Sequence, residues 1–250
     1  MDRLEYCRAM NATWRDSRPG LVPSRVADGP SLSNFTKRKG GADLSKEMTP
    51  ARDQGNGNKT CTAFALAALF EHHHKRVKRE EIEISAPWIH VCMSGQAETE
   101  FFDLSVLAEM FLTPRMIPLV EETGRSGNYA CDTGGQHQTP KLSAVKREAA
   151  IKNHLAFHGP VAVTINVDDN FFEPWPADKV YTASLNPPQT HAVCLTGYDD
   201  VAGLWRVKNS FGPGWSDKGS VSIAYGHCNV TKFAGWGIRR EGVQAGGVFQ

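Results

Sequence analysis

Residues 54–70 read Gln-Gly-Asn-Gly-Asn-Lys-Thr-Cys-Thr-Ala-Phe-Ala-Leu-Ala-Ala-Leu-Phe, a polar, glycine-rich turn that ends at one cysteine. From Cys61 onward the stretch is an Ala/Leu/Phe run of strong helix formers, which places Cys61 at a predicted helix N-terminus. The N–H groups and the dipole at such an end favour an anion, and a thiol there has a lowered pKa and becomes a nucleophile. A core cysteine that happens to start an apolar helix fits the same pattern, so distant residues must decide.

The composition is that of a globular chain with little charge bias. The 250 residues are 40% hydrophobic and 22% charged, with a net charge of +1, enough for one large domain or one domain in two lobes. Nothing in this balance calls for nucleic acid or a membrane as a partner, and no apolar run approaches the ~20 residues of a transmembrane helix. The first residues lack the basic start and apolar core of a secretory signal. We therefore expect a cytoplasmic protein or one exported by a non-classical route, with the oligomeric state left open.

The cysteines and histidines give no sign of a metal site. The chain has six cysteines and no CxxC pair, which argues against both a disulfide scaffold and a thiol-rich zinc site. His72, His73 and His74 are adjacent, but neighbours on a helix point about 100° apart and cannot converge on one ion. We expect a solvated helix end there, and neither a metal nor another cofactor.

The predicted secondary structure changes character near residue 158. In the front half, helical patterns cover residues 61–81, 85–92, 104–111 and 143–157, with an irregular glycine-rich stretch at 118–140. In the back half, strand patterns cover residues 161–167, 191–198, 204–209 and 220–224. Helices followed by antiparallel strands predict an α+β fold.

The chain before residue 48 has a different composition. Residues 1–47 are rich in Arg, Pro, Gly and Ser, and are predicted to form a wrapped or partly disordered extension. Its basic run at residues 37–39 is expected to be a solvated loop, with a processing site or a nucleic-acid contact as alternatives. Residues 48–250 are predicted to form the domain, with a helical lobe over about 48–157 and a β lobe over about 158–250.

Two residues of the back half could complete a catalytic site with Cys61. A cysteine nucleophile needs a base that takes its proton and returns it to the leaving group. His191 opens a predicted strand and could meet Cys61 across a cleft, although a hydrogen-bonded surface histidine is the alternative. Asn209 ends the next strand and can orient the imidazole through its side-chain oxygen, while Phe211 could keep water off that bond.

The order Cys, His, Asn, with His191 and Asn209 lying 130 and 148 residues after Cys61, resembles the layout of papain-like cysteine proteases. Four local words are similar to those of the family and lie in the same order. They are Thr-Pro-Ala-Arg-Asp-Gln-Gly at 49–55, Gly-Pro-Val-Ala-Val at 159–163, His-Ala-Val at 191–193 with Gly-Tyr at 197–198, and Lys-Asn-Ser-Phe-Gly-Pro-Gly-Trp at 208–215. The resemblance runs from about residue 48 to 225.

The resemblance implies a two-lobed fold, with a helical lobe, an antiparallel β-barrel-like lobe and the active-site cleft between them. It implies that Cys61 is the nucleophile, His191 the general acid/base and Asn209 the orienter. Gln54 would supply an oxyanion-hole N–H beside the backbone N–H of Cys61. The implied substrate-binding residues are Thr164, Gln189 and Ala192, which would shape a small, part-polar pocket for the second residue before the scissile bond, with Phe211 and Trp215.

The implied activity is hydrolysis of peptide bonds in a protein or peptide substrate through a covalent thioacyl intermediate. Acyl transfer or deamidation by the same triad is an alternative. A catalytically weak binding module that keeps the cleft is another.

The chain also departs from the family around the nucleophile. Asn58 stands where the family has a cysteine, Thr62 stands where it has a tryptophan, and one extra residue lies between Gln54 and Cys61. We expect residues 55–58 to absorb that residue in a surface bulge. The family's disulfide next to the nucleophile is therefore absent. Cys92 and Cys131 match both halves of another family disulfide, and would be bridged in an oxidising compartment or reduced in the cytosol.

Overall fold

The computed structural model describes residues 40–124, 129–131, 135–184 and 187–241. The helices are α1 Cys61–Lys78, α2 Ala86–Trp88, α3 Leu104–Glu109, α4 Val120–Thr123 and α5 Glu148–Phe157, with a π-helical turn at Ile89–Met93 and 3-10 turns at Ser45–Glu47 and Asp169–Phe172. The strands are β1 Gly41–Asp43, β2 Met116–Ile117, β3 His137–Gln138, β4 Ser143–Val145, β5 Val161–Val167, β6 Gln189–Asp199, β7 Leu204–Lys208, β8 Ser220–Ala224 and β9 Gly235–Gly237. The α+β prediction is confirmed.

Helix α1 is the central helix and starts at the predicted cysteine. Its first three turns are almost entirely buried, as expected for an Ala/Leu/Phe run without a polar face. The helix ends at Arg79, whose backbone is left-handed with a φ of 62° and whose N–H donates to the carbonyl of Lys75. Burial on all sides explains why this helix can present its first residue to a site between two layers.

The expectation of a solvated end at the three histidines is wrong for His72. Its side chain is only 2% exposed. The loop after α5 covers it, because Gly159 approaches so closely that a Cβ there would lie 3.3 Å from Cε1 of His72. His73 and His74 are half-buried. The described residues contain no group of three or more His, Cys, Asp or Glu side chains arranged to hold a metal ion.

The larger sheet supports the base side of the predicted site. Over the described residues its strand order is β4-β9-β5-β6-β7-β8, every neighbouring pair is antiparallel, and β1 adds to β6. The two ends of this order, β4 and β8, do not pair with each other in the described part of the chain. The lobe is therefore an open sheet and not the closed barrel that a barrel-like lobe would suggest.

Strand β1 lies inside the predicted N-terminal extension. Gly41, Ala42 and Asp43 pair with Asp199, Tyr198 and Gly197 of β6. These residues before 48 thus belong to the sheet of the β lobe. The boundary at residue 48 stays a prediction. Residues 1–39 of the extension, including the basic run at 37–39, lie outside the described residues.

Two of the front-half predictions need correction. The predicted helix 143–157 is a strand, β4, followed by α5, because residues 143–145 pair with β9 and Arg147 takes a φ of 72° that interrupts any helix there. The stretch 118–140, predicted to be irregular, contains α4 and strand β3, which pairs with β2. Short elements of this kind depend on a distant partner strand more than on local propensity.

The cysteines occupy different environments. A disulfide joins Cys92, in the π-helical turn, to Cys131, with Cα atoms 5.2 Å apart. Cys61, Cys194 and Cys228 are buried and outside any disulfide. None of the helices described here has the length and apolar character needed to span a bilayer.

Candidate active site

The nucleophile loop, residues 54–60, delivers Cys61 to the first position of α1. Gly55 and Gly57 adopt φ values of 83° and 81°, in the left-handed region that favours glycine, and so allow the loop its tight turn. Thr60 is the last residue before the helix, and its carbonyl accepts the N–H of Phe64. Cys61 is fully buried. Its thiol therefore lies at the positive end of the α1 dipole, away from bulk water.

His191 is hydrogen-bonded to Asn209 through a single, well-defined atom pair. His191 lies in β6 opposite Ile165 of β5 and is fully buried, while Asn209 directly follows β7. The distance from His191 Nε2 to Asn209 Oδ1 is 2.7 Å. The same Asn209 oxygen accepts the backbone N–H of Ser210 at 2.8 Å.

This second bond fixes the tautomer of the imidazole. A backbone N–H can only donate, so the Asn209 atom that faces Ser210 must be the carbonyl oxygen. That oxygen can only accept, so His191 Nε2 must carry the proton in their shared bond. Nδ1 is consequently the ring nitrogen that carries no proton in the neutral imidazole.

Aromatic rings enclose the imidazole. The ring centroid of Phe211 is 4.9 Å from that of His191, and those of Phe171 and Phe172 are 5.8 and 6.1 Å away. Trp215 packs on Phe171 and Phe211, and its indole N–H donates to the carbonyl of Glu173 at 3.0 Å. Such rings exclude water and thereby strengthen the His191–Asn209 hydrogen bond. Phe211 lies against the imidazole, and its role in keeping water off the bond stays a prediction.

Gln54 is connected to Asn209 through Ser210. The Gln54 N–H donates to the Ser210 carbonyl at 2.9 Å, and the Ser210 hydroxyl donates to Gln54 Oε1 at 2.6 Å. Gln54 Nε2 donates to the carbonyl of Asn58 at 2.7 Å. Because an amide nitrogen has two hydrogens, one remains for another acceptor. Ser210 thus connects Gln54, in the loop before Cys61, to Asn209.

Helix α1 and strand β6 meet directly behind these residues. A small cavity between them is bordered by Phe64, Ala65 and Ala68 of α1 and by Ala192, Val193 and Asn209 of the β side. The first two turns of the helix that starts at Cys61 therefore lie against the strand that carries His191. Small alanine side chains on this face allow the close approach.

A buried charge network holds the two layers at this interface. Glu71 of α1 is 1% exposed, and its carboxylate binds Arg52 at 2.7 Å and accepts the Thr49 hydroxyl at 2.8 Å and the Ile84 N–H at 3.0 Å. Lys208 of β7, one residue before Asn209, donates to the same Thr49 hydroxyl at 3.0 Å. Burial lowers the pKa of Lys208, while Glu71 acts in the opposite direction. The network links the loop before Gln54, the helix of Cys61 and the strand before Asn209.

The predicted pocket residues fall into two groups. Thr164 of β5 and Ala192 of β6 are direct cross-strand partners and share one face of the sheet. Gln189 begins β6 opposite Val167, is fully buried, and its amide N–H₂ donates to Asp169. The alternation of a strand places Gln189 on the face of His191, opposite to Ala192. Thr164 and Ala192 are thus brought together, and Gln189 is separated from them.

Sequence reasoning missed several residues around the site. Glu71 and Glu98 lie outside the four words, and Ser210, Arg52 and Lys208 lie inside them without an assigned role. The sequence offered one signal for two of them: Arg52 lies two residues before Gln54, and Lys208 lies directly before Asn209. The acidic partner of Arg52 and Lys208 gave none, because Glu71 looks like any polar residue late in an apolar helix.

Comparison with known proteins adds to this geometry. A family model described as papain family cysteine protease matches residues 35–237. Cathepsin K of Gallus gallus is 27% identical over 220 residues, covering 81% of this chain and 61% of that protein. A cysteine protease of Blomia tropicalis is 25% identical over 238 residues, covering 87% of this chain and 68% of the relative. The chain thus spans between three fifths and seven tenths of the length of these two relatives.

A solved structure shows the same fold. The cysteine protease CMS1MS2 of Carica candamarcensis, solved in complex with E-64, superposes with a TM-score of 0.68 at 19% identity, covering 80% of this chain and 99% of that one. The fold is therefore papain-like. With a family model that matches most of its length, the chain belongs to the papain family of cysteine proteases, whose substrates are proteins or peptides.

Proposed function

We propose that the chain is an endopeptidase that cleaves peptide bonds with Cys61 as nucleophile, His191 as general acid/base and Asn209 as the residue that orients His191. The observation that carries the proposal is the Nε2–Oδ1 bond of 2.7 Å from His191 to Asn209. This bond leaves Nδ1 as the proton-exchanging atom in a buried aromatic setting. The link of Gln54 to Asn209 through Ser210 supports a role for Gln54 in the oxyanion hole.

In the proposed reaction, the Cys61 thiolate attacks the carbonyl carbon of the scissile amide while His191 holds the thiol proton on Nδ1. The developing oxyanion accepts from the backbone N–H of Cys61 and from the second hydrogen of Gln54 Nε2. The tetrahedral species collapses to a thioacyl enzyme, and the leaving amine takes the proton from His191. A water molecule, deprotonated by His191, then attacks the thioacyl carbon and releases the acid and the thiolate.

The substrate pocket of the proposed enzyme lies at Thr164 and Ala192. These cross-strand partners offer a methyl group, a hydroxyl group and a small apolar surface for the second residue before the scissile bond. Gln189 is engaged by Asp169 and would act on this pocket only through the shape of β6. Phe211 and Trp215 would border the leaving-group side, next to the His191 ring.

Labelling of thiols tests the nucleophile in the absence of any substrate. The native protein and its Cys61→Ala variant would be treated with iodoacetamide or an epoxide and mapped by mass spectrometry. We expect Cys61 to be modified first. All three thiols are buried, but Cys61 lies at the N-terminus of α1, which favours its thiolate, whereas burial raises the pKa of Cys194 and of Cys228 to about 12. Modification of Cys194 or Cys228 at the same rate as Cys61, or an unreactive Cys61, would contradict the assignment.

A further inference from the structure

Glu98 connects the nucleophile loop both to its own segment of the helical lobe and to the segment that contains Tyr129. Its backbone carbonyl accepts the N–H of Lys59 at 2.6 Å. One carboxylate oxygen accepts from Asn58 Nδ2 at 3.2 Å, and the other accepts the hydroxyl of Tyr129 at 3.1 Å. Glu98 is half-buried, and each of these bonds uses a different acceptor atom of the residue.

Asn58 in turn forms two hydrogen bonds with Gln54. Its side-chain Nδ2 donates to the Gln54 carbonyl at 2.8 Å, and its own carbonyl accepts from Gln54 Nε2 at 2.7 Å. These reciprocal bonds close the turn over Gly55 and Gly57. The side-chain amide of Gln54 is thus held by Ser210 at its oxygen and by Asn58 at its nitrogen. Asn58 is in turn held by Glu98.

We propose that Glu98 is a positioning residue for the reaction, which fixes the amide of Gln54 and the approach to Cys61 through its hydrogen bonds to Asn58, Lys59 and Tyr129. This inference rests on the proposed function. We call the four residues Glu98, Asn58, Lys59 and Tyr129 the loop clamp.

The sequence around the clamp explains why the loop needs it. Two glycines with left-handed backbones and one residue more than the family's usual spacing leave the segment from Gln54 to Cys61 with many backbone conformations. The position where the family has a cysteine is Asn58, so in this chain a hydrogen-bonding side chain occupies the site of a covalent link. Side-chain bonds to Glu98 then supply the restraint.

The clamp is anchored on its far side. Tyr129 lies two residues before Cys131, whose disulfide to Cys92 attaches this segment to the π-helical turn. Burial, and next the charge of Glu98, raises the pKa of Tyr129, which keeps the phenol protonated as a donor. The ammonium group of Lys59 also lies 4.2 Å from the ring centroid of Phe101, three residues after Glu98. The clamp thus connects the loop to chain segments that are themselves held.

Steady-state kinetics on the full chain separates positioning from a merely structural role. We expect Glu98→Ala to lower kcat for a peptide amide about 5- to 50-fold while KM stays within about twofold, since Gln54 acts on the oxyanion that forms after binding. Glu98→Gln should recover most of the loss, because its carbonyl oxygen can still accept from Asn58. The matched control is Glu100→Ala, which removes the same charge from an exposed residue of the same segment and should leave kcat unchanged.

A double-mutant cycle identifies the route of the effect. If Glu98 acts through Gln54, Glu98→Ala should lower kcat by less than about twofold when Gln54 is already alanine. A full additional loss in that background would overturn the proposal. So would a Glu98→Ala variant that behaves like Glu100→Ala in an otherwise active protein. Absence of Cys61-dependent turnover by the wild type would instead contradict the proposed function itself.

Hydrogen exchange tests the clamp without any turnover. Amide exchange at Gly55, Asn56 and Gly57 should accelerate in Glu98→Ala relative to Glu100→Ala, because the turn loses its restraint. Equal exchange rates in the two variants would overturn the clamp whether or not the enzyme is active.

Discussion

On the base side of the site, His191 is held by backbone: β6 pairs with β5 on one flank and with β7 on the other, and Asn209 follows β7 directly. On the nucleophile side, Gln54 is held by side chains: Ser210, Asn58 and, at one remove, Glu98. The backbone hydrogen bonds between strands are numerous and are distributed along each strand, whereas each side-chain hydrogen bond depends on the identity of one residue.

This difference predicts how the two sides respond to substitution. On the base side, a substitution changes the chemistry and leaves the sheet in place only if it is confined to the side chain of His191 or Asn209. A change in the nucleophile loop should lower activity while the free energy of unfolding changes little, because few core contacts depend on that loop.

His191→Ala should have the largest effect on activity. Removal of a general acid/base lowers kcat/KM by about 10²–10⁴. Asn209→Ala should cost less, because the smaller side chain leaves space for a water molecule that can accept the hydrogen bond from Nε2. Kinetics on both variants with one peptide amide makes the comparison, and a greater loss in Asn209→Ala would mean that the two roles are assigned the wrong way round.

Glu71→Gln should have the largest effect on stability. The variant removes the buried carboxylate that binds Arg52 and that acts on the charge of Lys208, and leaves Arg52 with the longer 3.4 Å pair to Glu83. Breaking a buried pair costs about 3–5 kcal/mol. Glu81→Gln is the matched control, because Glu81 pairs with Lys75 at the same 2.7 Å as Glu71 with Arg52 but its side chain is 54% exposed. A surface pair contributes about 0–1 kcal/mol. Urea unfolding of both variants at pH 7 would refute the network's role if the two losses were equal.

Gln54→Ala tests the nucleophile side of the comparison. We expect kcat to fall by about 10²–10³, the range for one oxyanion donor. The unfolding free energy should fall by no more than about 2 kcal/mol, because the alanine removes two side-chain hydrogen bonds of ~1 kcal/mol each. A kcat within about twofold of wild type would show that the extra residue in the loop has moved Gln54 out of the site.

A fall in pH should lower the free energy of unfolding because of two buried histidines, His72 and His154. Burial, with further contributions from neighbouring cations, lowers the pKa of His72 and of His154 to about 3. Between pH 3 and the unfolded pKa near 6.5, these histidines bind protons in the unfolded chain but not in the folded chain. Their contribution to the free energy of unfolding is therefore fully present above pH 6.5 and is lost as the pH falls toward 3. The slope should be at most about 1.4 kcal/mol per pH unit for each histidine.

The variant that checks this slope is His154→Gln, which keeps a neutral polar side chain in α5 next to His158, Arg239 and Arg76. Urea unfolding at several values between pH 4 and 7 should give a shallower dependence than in the wild type. An unchanged slope would mean that His154 does not account for the acid sensitivity.

The sequence allowed prediction of those features that depend on local pattern or on short motifs. The start of α1 at Cys61 follows from helix propensity, and the strands 161–167 and 220–224 follow from β-branched runs at the predicted residues. The pairing of His191 with Asn209 followed from the family words. The helix start and the two strand positions do not depend on what lies across the fold.

The features that escaped prediction depend on distant partners. Strand β4 forms because β9, about 90 residues later, pairs with it, and His72 is buried because the loop at Gly159 covers it. Glu98 reaches Asn58 from 40 residues away, so neither segment reveals the clamp by itself. Local propensity cannot foresee such contacts, because they are decided by tertiary packing.

Turnover of a peptide amide by the wild type and by Cys61→Ala decides whether Cys61 is the nucleophile. We expect Cys61-dependent hydrolysis by the wild type and none above the uncatalysed background by the variant, with circular dichroism and Tm showing that the variant keeps its fold. Hydrolysis by a correctly folded Cys61→Ala variant at a rate comparable to wild type would contradict the assignment of Cys61 as the nucleophile.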